Sequence, residues 1–165
     1  MGGSPKKELS LDTNLPLDLA KRHDFAHDFR ESFQRRGYVL RLPPTVLTEL
    51  EYLMLFGNER KRELAEEAFK KLATWRLTPF DLPDVHQSLA EKFAEVLQHR
   101  GLIPSEEFHD GLILAETSLA EIPILVTSDK HLLEIDDEAL LMTFNEAELP
   151  PVRPVHPKGL LRALH

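Results

Sequence analysis

Two short apolar segments of this chain each lead to an aspartate. Residues 9–11 (LSL) precede Asp12, and residues 124–126 (ILV) lead through two small polar residues to Asp129. Short apolar segments that alternate with helical stretches are typical of buried strands in a parallel α/β sheet. Because ligands bind at the carboxyl edge of such a sheet, the pattern predicts that both aspartates lie at a functional edge.

The hydrophobic pattern predicts four strands and the helices that connect them. The predicted strands are residues 8–12, 38–42, 124–127 and 139–144. The predicted helices are residues 15–36, 44–56, 59–73 and 84–101, with a further helix that opens at 104–107, while residues 78–83 are predicted to be a loop. This order predicts a parallel α/β sheet with helices on both faces, in a single domain over residues 1–165. Residues 1–7 are expected to be a flexible extension.

Composition excludes several classes of function. The chain contains no cysteine, which excludes disulfides and thiolate chemistry and fits a cytoplasmic location. No apolar run approaches the length of a membrane span, so no membrane association is expected. The net charge of −8 argues against a general nucleic-acid coat but leaves local nucleic-acid contact open.

Two further acidic positions lie on apolar helix faces. Asp110 shares one side of its helix with Ile113 and Leu114, so its carboxylate is partly desolvated and needs a partner. Glu49 and Glu51 each lie among apolar residues of the predicted helix 44–56, and spacing does not choose between them.

Each strand-end aspartate also has a simpler interpretation as a helix cap. Asp12 and Asp129 both precede predicted helical residues, and aspartate is a favoured N-cap residue. Taken together, however, four acids without nearby basic partners in sequence favour metal ligation over separate caps. Carboxylate oxygens are hard ligands that select Mg²⁺ or Mn²⁺, the ions that assist phosphoryl transfer.

Four segments, in this order, resemble the signatures of PIN domains. They are residues 11–14 (LDTN), 42–50 (LPPTVLTEL), 110–117 (DGLILAET) and 125–129 (LVTSD), and residues 157–161 (PKGLL) resemble the last helix of that family. The resemblance covers residues 9–164. It implies a three-layer PIN-like domain with a central, mostly parallel sheet of four to five strands flanked by helices. PIN domains are metal-dependent ribonucleases, and small bacterial members are often toxins of toxin–antitoxin pairs.

The resemblance also implies which residues form the site. It assigns the carboxylates of Asp12, Glu49, Asp110 and Asp129 as catalytic ligands of Mg²⁺ or Mn²⁺, which selects Glu49 over Glu51. It assigns supporting polar roles to Thr13, Asn14 and Thr127. The chain departs from the pattern at His131, where many relatives carry a further acid, and whether this histidine substitutes for it is left open.

The implied function is a divalent-metal-dependent endoribonuclease with RNA as substrate and an antitoxin protein as partner. The metal would polarise a phosphate oxygen and acidify a water, while Glu49 would hold a water. Arg22, Arg30 and Lys130 are candidate RNA contacts because each lies near a proposed ligand in sequence. Two alternatives are a non-catalytic PIN-like interaction module and a housekeeping RNA-processing nuclease without an antitoxin.

A zinc-protease interpretation of His23 and His27 is not favoured. The two histidines lie one helical turn apart, but Asp24 stands where the catalytic glutamate would be and no third ligand follows.

The predicted helix 44–56 carries a signal for association. Residues 52–56 (YLMLF) make it apolar on nearly all sides, which is more than one domain face can cover. This pattern predicts a two-fold homodimer and, beside it, an apolar groove that accepts a partner helix.

Overall fold

The computed structural model describes residues 7–164, so all but Lys7 of the expected N-terminal extension lies outside the described residues. Within this range lie five strands, β1 (Glu8–Leu11), β2 (Val39–Leu42), β3 (Leu77–Pro79), β4 (Ile124–Val126) and β5 (Arg153–Val155). The same range contains the helices α1 (Asn14–Ala20), α2 (Asp24–Arg35), α3 (Pro44–Phe56), α4 (Glu59–Lys71), α5 (Asp84–His99), α6 (Phe108–Leu119), α7 (Lys130–Leu133), α8 (Asp137–Glu146) and α9 (Pro157–Ala163). None of the helices in this range is long and apolar enough to cross a membrane.

The strands form one parallel sheet in the order β3-β2-β1-β4-β5. Leu9 of β1 is aligned with Leu40 of β2, and Leu11 of β1 with Val126 of β4. These four side chains are almost completely buried, as expected for central strands that are covered by helices on both faces. The predicted α/β class, with a central parallel sheet of four to five strands flanked by helices, is confirmed.

The strand order brings the two strand-end aspartates side by side. From β1 the chain proceeds to β2 and β3 on one side of the sheet, whereas β4 and β5 lie on the other side. β1 and β4 are therefore the neighbours at which the winding reverses, and such a point opens a crevice at the carboxyl edge. Asp12 directly follows β1 and Asp129 follows β4 after two residues, so both lie at this crevice.

Helix α6 is buried along most of its length and forms a wall of the crevice. Residues 110–118 are all buried, including four polar residues, Asp110, Glu116, Thr117 and Ser118. A Cβ added to Gly111 would lie 2.9 Å from Ala94 Cβ on α5 and 2.9 Å from Ile103 Cδ1. Glycine therefore permits a close approach of α6 to α5 at the residue next to Asp110.

The prediction of one helix over residues 15–36 is wrong, because the chain forms α1 and α2 instead. Arg22, between them, adopts a left-handed φ of 62°. An unbroken helix over this segment would span about 33 Å. The strands that it must cover are only four residues long, so the chain turns and α2 packs against α1 and α9.

The predicted strand at residues 139–144 is also wrong, because these residues belong to α8. The Asp136 side chain caps this helix by accepting a 2.9 Å hydrogen bond from the Ala139 backbone N–H. Asp137 and Glu138 follow in the first turn, where negative charge is favourable. A short apolar run fits either a helix or a strand, and here the capping residues decide for the helix.

The sequence pattern did not predict the two edge strands β3 and β5, because each contains a proline. β3 includes Thr78 and Pro79, which were assigned to a loop, and β5 contains Pro154. Proline cannot donate to a sheet but is tolerated on edge strands, where only one side is paired. The helix predicted to open at residues 104–107 begins instead at Phe108.

Candidate metal centre

Three carboxylates from three separate elements meet at the crevice. Asp12 comes from the end of β1, Asp129 from the loop after β4, and Asp110 from the first turn of α6. Each offers one carboxylate oxygen, and these oxygens all lie within 4.8 Å of one another. This spacing can hold a metal ion.

Hydrogen bonds from neighbouring residues hold the Asp12 carboxylate in place. Its Oδ2 accepts a 2.6 Å hydrogen bond from the Thr127 hydroxyl, and its Oδ1 accepts a 2.7 Å bond from the Thr13 backbone N–H. Burial raises the pKa of Asp12, these two bonds lower it, and the negative charge of Asp129 raises it further. The side chain is thus oriented and buried, with no opposite charge among the causes of its pKa shift.

Thr127 orients the second ligand as well. Its hydroxyl oxygen accepts a 3.0 Å hydrogen bond from the Asp129 backbone N–H while it donates to Asp12. Asp129 Oδ1 in turn accepts a 2.8 Å bond from the His131 backbone N–H and so caps α7. Asp129 therefore both caps α7 and lies at the crevice.

Asp110 is a buried acidic side chain in an unfavourable electrostatic environment. Its Oδ2 is buried and has no hydrogen-bond partner among residues 7–164. Burial raises the pKa of Asp110 far above its usual range, and the negative charges of Asp12 and Asp129 raise it further. A bound cation would satisfy a buried, unpaired carboxylate oxygen on a residue that lies close to two other carboxylates.

Glu49, on α3, lies at the same crevice and is held by Thr13. The Thr13 hydroxyl donates a 3.0 Å hydrogen bond to Glu49 Oε2, and His109 Nδ1 lies 3.9 Å from Oε1. Burial, followed by the negative charge of Asp12, raises the pKa of Glu49 to about 7. Glu51 is exposed on the same helix and does not line the crevice.

The crevice that these acids share is a cleft of about 540 Å³. Its lining comprises Asp12, Thr13, Asn14, Thr48, Glu49, Tyr52, Leu53, Glu106, Glu107, Phe108, His109, Asp110 and Asp129. Glu107 is a further acid that sequence reasoning missed, and its negative charge raises the pKa of Asp12, Glu49 and Asp110. In the sequence it lies at the start of a predicted helix, where negative charge is favourable, and this position gives no sign of the cleft.

The proposed supporting residues all lie at the cleft or in contact with its acids. Thr13 bonds both Asp12 and Glu49, and Thr127 bonds Asp12 and Asp129. Asn14 Oδ1 accepts a 3.4 Å hydrogen bond from the Ser128 backbone N–H, which joins the start of α1 to the loop that carries Asp129.

The candidate RNA contacts are placed very differently. Lys130 is exposed and directly follows Asp129. Arg22 lies in the exposed turn between α1 and α2 and does not line the cleft. Arg30 donates to Gln34 Oε1, whose amide bonds the Trp75 carbonyl before the start of β3, so Arg30 lies toward the opposite, amino edge of the sheet.

The two histidines of the rejected zinc pattern have other contacts. His27 Nε2 lies 3.2 Å from the Leu19 carbonyl oxygen, and the His23 ring stacks on Phe25 with centroids 5.8 Å apart. Among the described residues, the acidic cluster of Asp12, Asp110 and Asp129 is the group whose spacing fits a metal.

The residues present fit a hard divalent cation. The donor set consists of carboxylate oxygens of Asp12, Asp110 and Asp129, and Oδ2 of Asp110 is buried and unpaired within residues 7–164. Burial, followed by mutual repulsion, raises the pKa of Asp12 and Asp110, and a cation bound between them would remove that repulsion. With no cysteine in the chain, soft-metal chemistry has no thiolate ligand.

No protein-family model and no curated protein matches this chain. Solved structures do share its fold. A chain of VapBC2 from Rickettsia felis bound to a DNA fragment from their promoter superposes with a TM-score of 0.62 at 18% identity, covering 90% of this chain and 98% of that one. A chain of VapBC-1 from nontypeable Haemophilus influenzae superposes with a TM-score of 0.57 at 17% identity, covering 92% of this chain and 98% of that one.

A third structure extends the same comparison. FitAcB from Neisseria gonorrhoeae gives a TM-score of 0.55 at 18% identity and covers 90% of this chain and 97% of that one. Identities this low establish the fold and nothing more. The structural similarity and the five-stranded parallel sheet flanked by helices together show that this chain has a PIN-like fold.

Proposed function

We propose that this protein is a divalent-metal-dependent endoribonuclease that hydrolyses RNA phosphodiester bonds. The observation that carries the proposal is the convergence of Asp12, Asp110 and Asp129 at the switch point of the sheet, with carboxylate oxygens within 4.8 Å of one another. Carboxylate-only centres serve phosphoryl transfer, because they bind hard cations and leave room for phosphate oxygens.

Each side chain has a defined task in this proposal. Asp12, Asp110 and Asp129 would hold the ion. When bound, the Mg²⁺ or Mn²⁺ ion would supply Lewis-acid polarisation of a phosphate oxygen and a more acidic water. Glu49, fixed by the Thr13 hydroxyl, would accept a hydrogen bond from a water in the cleft. Thr127 would keep two of the ligands oriented through its bonds to the Asp12 carboxylate and the Asp129 amide.

The exposed Lys130 is the candidate that we retain for contact with RNA phosphates. It is exposed and directly follows Asp129, which lines the cleft. Arg22 and Arg30 stay outside the cleft, so a direct role for them in the proposed cleavage is not favoured.

We also propose that the protein acts in the cytoplasm as the toxin of a toxin–antitoxin pair. The four PIN-like motifs and the fold shared with chains of VapBC2, VapBC-1 and FitAcB support this role. An exposed apolar surface at the end of α3 supports binding of another protein. In it, Tyr52 is 61% exposed and Leu55 and Phe56 are each 70% exposed.

We assign this α3 surface, formed by Tyr52, Leu55 and Phe56, to a two-fold homodimer. Tyr52 also lines the cleft, so a second copy seated there would border the active site. The antitoxin would contribute an amphipathic helix that binds beside the same surface.

The nuclease proposal is tested with purified protein, Mn²⁺ and single-stranded RNA. Cleavage is expected with Mn²⁺, and it should stop with EDTA and in Asp110→Asn. The matched control Asp81→Asn changes an exposed loop aspartate and should cleave normally. Cleavage that persists with EDTA would contradict the metal mechanism. A wild-type protein that neither cleaves RNA nor binds Mn²⁺ by calorimetry would favour the non-catalytic interaction module.

A further inference from the structure

Glu116 is a buried carboxylate that the proposed reaction does not use. It lies on α6, is 0% exposed, and is separated from the three-aspartate cluster by more than one turn of helix. A buried ionisable side chain needs partners that compensate for the loss of water. The partners of Glu116 show what it does.

All the hydrogen bonds that the structure gives the Glu116 carboxylate come from donors on other helices. The Thr45 backbone N–H donates to Oε1 at 3.0 Å, and the Thr45 hydroxyl donates to Oε2 at 2.6 Å. The Gln87 side-chain amide, on α5, donates to Oε2 at 3.0 Å. One carboxylate therefore joins α3, α5 and α6.

The contact with Thr45 caps helix α3 from outside its own segment. The residue at the N-cap position is Pro43, which has no side-chain acceptor for the free N–H groups of the first turn. Glu116 supplies that acceptor, and its negative charge lies at the positive end of the helix dipole. A cap that is normally local is here provided across 71 positions of sequence.

The capped turn leads directly to Glu49. Thr45 and Glu49 are four residues apart on α3, so they lie on one face of the helix, one turn from each other. On α6, Asp110 and Glu116 lie on the same rigid helix. The bond between Glu116 and Thr45 thus links the helix of Glu49, the proposed water-holding residue, to the helix of the proposed ligand Asp110.

We propose that Glu116 is a positioning residue of the metal centre, which clamps the start of α3 onto α6 and so holds Glu49 in register with Asp110. This inference rests on the proposed metal-dependent function. Glu116 does not contact the cleft acids itself; it acts through the placement of Glu49. Outer residues that orient metal ligands typically change metal affinity or activity about tenfold or more when they are removed.

The test is a double-mutant cycle on Mn²⁺ affinity, measured by calorimetry. Glu49→Ala and Glu116→Ala should each weaken Mn²⁺ binding about tenfold. The double variant should bind no more weakly than Glu49→Ala alone, because both changes remove the same placement. Glu116→Gln, which keeps one acceptor for the Thr45 N–H, should restore part of the affinity.

Controls separate positioning from mere stability. Phe144→Leu changes a buried residue of α8 and should lower the melting temperature without changing Mn²⁺ affinity. If Glu116→Ala does not fold, Thr45→Val removes only the hydroxyl contact and should show a smaller loss of affinity of the same non-additive kind.

Three outcomes would overturn the inference. If Glu116→Ala lowers the melting temperature but keeps wild-type Mn²⁺ affinity, Glu116 is structural only. If the losses of Mn²⁺ binding free energy in Glu49→Ala and Glu116→Ala add up in the double variant, Glu116 does not act through Glu49. If wild-type protein binds no Mn²⁺, the proposed metal-dependent function is refuted, and the positioning role is refuted with it. If wild-type protein binds Mn²⁺ and Glu116→Ala binds it with the same affinity, only the positioning role is refuted.

Discussion

The Thr127 hydroxyl donates a 2.6 Å hydrogen bond to Asp12 Oδ2 while accepting one from the Asp129 amide. Thr127→Val keeps the shape of the side chain but removes this donor. We expect the apo protein to lose roughly 1–3 kcal/mol of stability, because a buried acceptor is left unpaired, and Mn²⁺ to bind more weakly. Thermal melts and calorimetry measure the two effects. The control Thr78→Val, on the exposed edge strand, should change neither.

Asp110→Asn should abolish Mn²⁺ binding without destabilising the apo protein at pH 8. The native carboxyl group has a buried, unpaired oxygen and a pKa raised to about 9, so folding at pH 8 must protonate a group that is ionised in the unfolded chain. The uncharged amide avoids this cost. Melting curves in EDTA should show equal or higher stability for the variant. A large loss of stability would identify Asp110 as a structural acceptor rather than a ligand.

Stability of the apo protein should fall as pH rises from about 5 to 8. The pKa of Glu49 is raised to about 7 in the folded protein, and those of Asp12 and Asp110 are raised as well. The folded state therefore binds more protons than the unfolded state over this range, and unfolding free energy decreases with pH. Glu49 alone should contribute on the order of 2 kcal/mol, and this part should disappear in Glu49→Gln.

The same titrations predict how metal binding depends on pH. Because Mn²⁺ competes with protons for these carboxylates, the rise in melting temperature that it causes should be larger at pH 8 than at pH 5.5. An equal rise in melting temperature at the two pH values would mean that Mn²⁺ binds away from the carboxylates whose pKa is raised.

Gly111→Ala should destabilise the protein by on the order of 1 kcal/mol. The new Cβ would lie 2.9 Å from Ala94 Cβ, and this overpacking outweighs the better helix propensity of alanine. Gly159→Ala is a matched control in α9, where an added Cβ meets nothing within 4 Å, and it should be neutral or stabilising. Chemical denaturation measures both, and equal effects of the two changes would refute the close contact.

Phe56→Ser should shift the proposed homodimer toward monomer. Phe56 is 70% exposed beside Tyr52, with ring centroids 5.1 Å apart, so together they offer an aromatic anchor for a second copy. Sedimentation at tens of micromolar should show a dimer for wild-type protein and for the control Met142→Ser, an exposed residue of α8. A monomeric wild type would leave the α3 surface to another partner.

Local pattern was sufficient to predict the central elements of the fold. The apolar segments before Asp12 and Asp129 form β1 and β4, and α3, α4 and α5 occupy the regions where helical periodicity placed them. The pattern failed at residues 139–144 and at the prolines of β3 and β5. A short apolar run is compatible with the period of a helix and with that of a strand. An edge strand that contains proline is recognised by its pairing with a neighbouring strand rather than by its own residues.

The sequence by itself determined which side chains are available at the carboxyl edge, because a strand that is buried on both faces must be apolar and must end where the polar residues begin. It thereby singled out Asp12 and Asp129. Only the tertiary structure decided that Asp110 has an unpaired buried oxygen, that Arg30 lies toward the opposite edge, and that Glu116 caps α3. These facts depend on contacts between residues far apart in sequence, and such contacts follow from how helices pack on the sheet rather than from any local period.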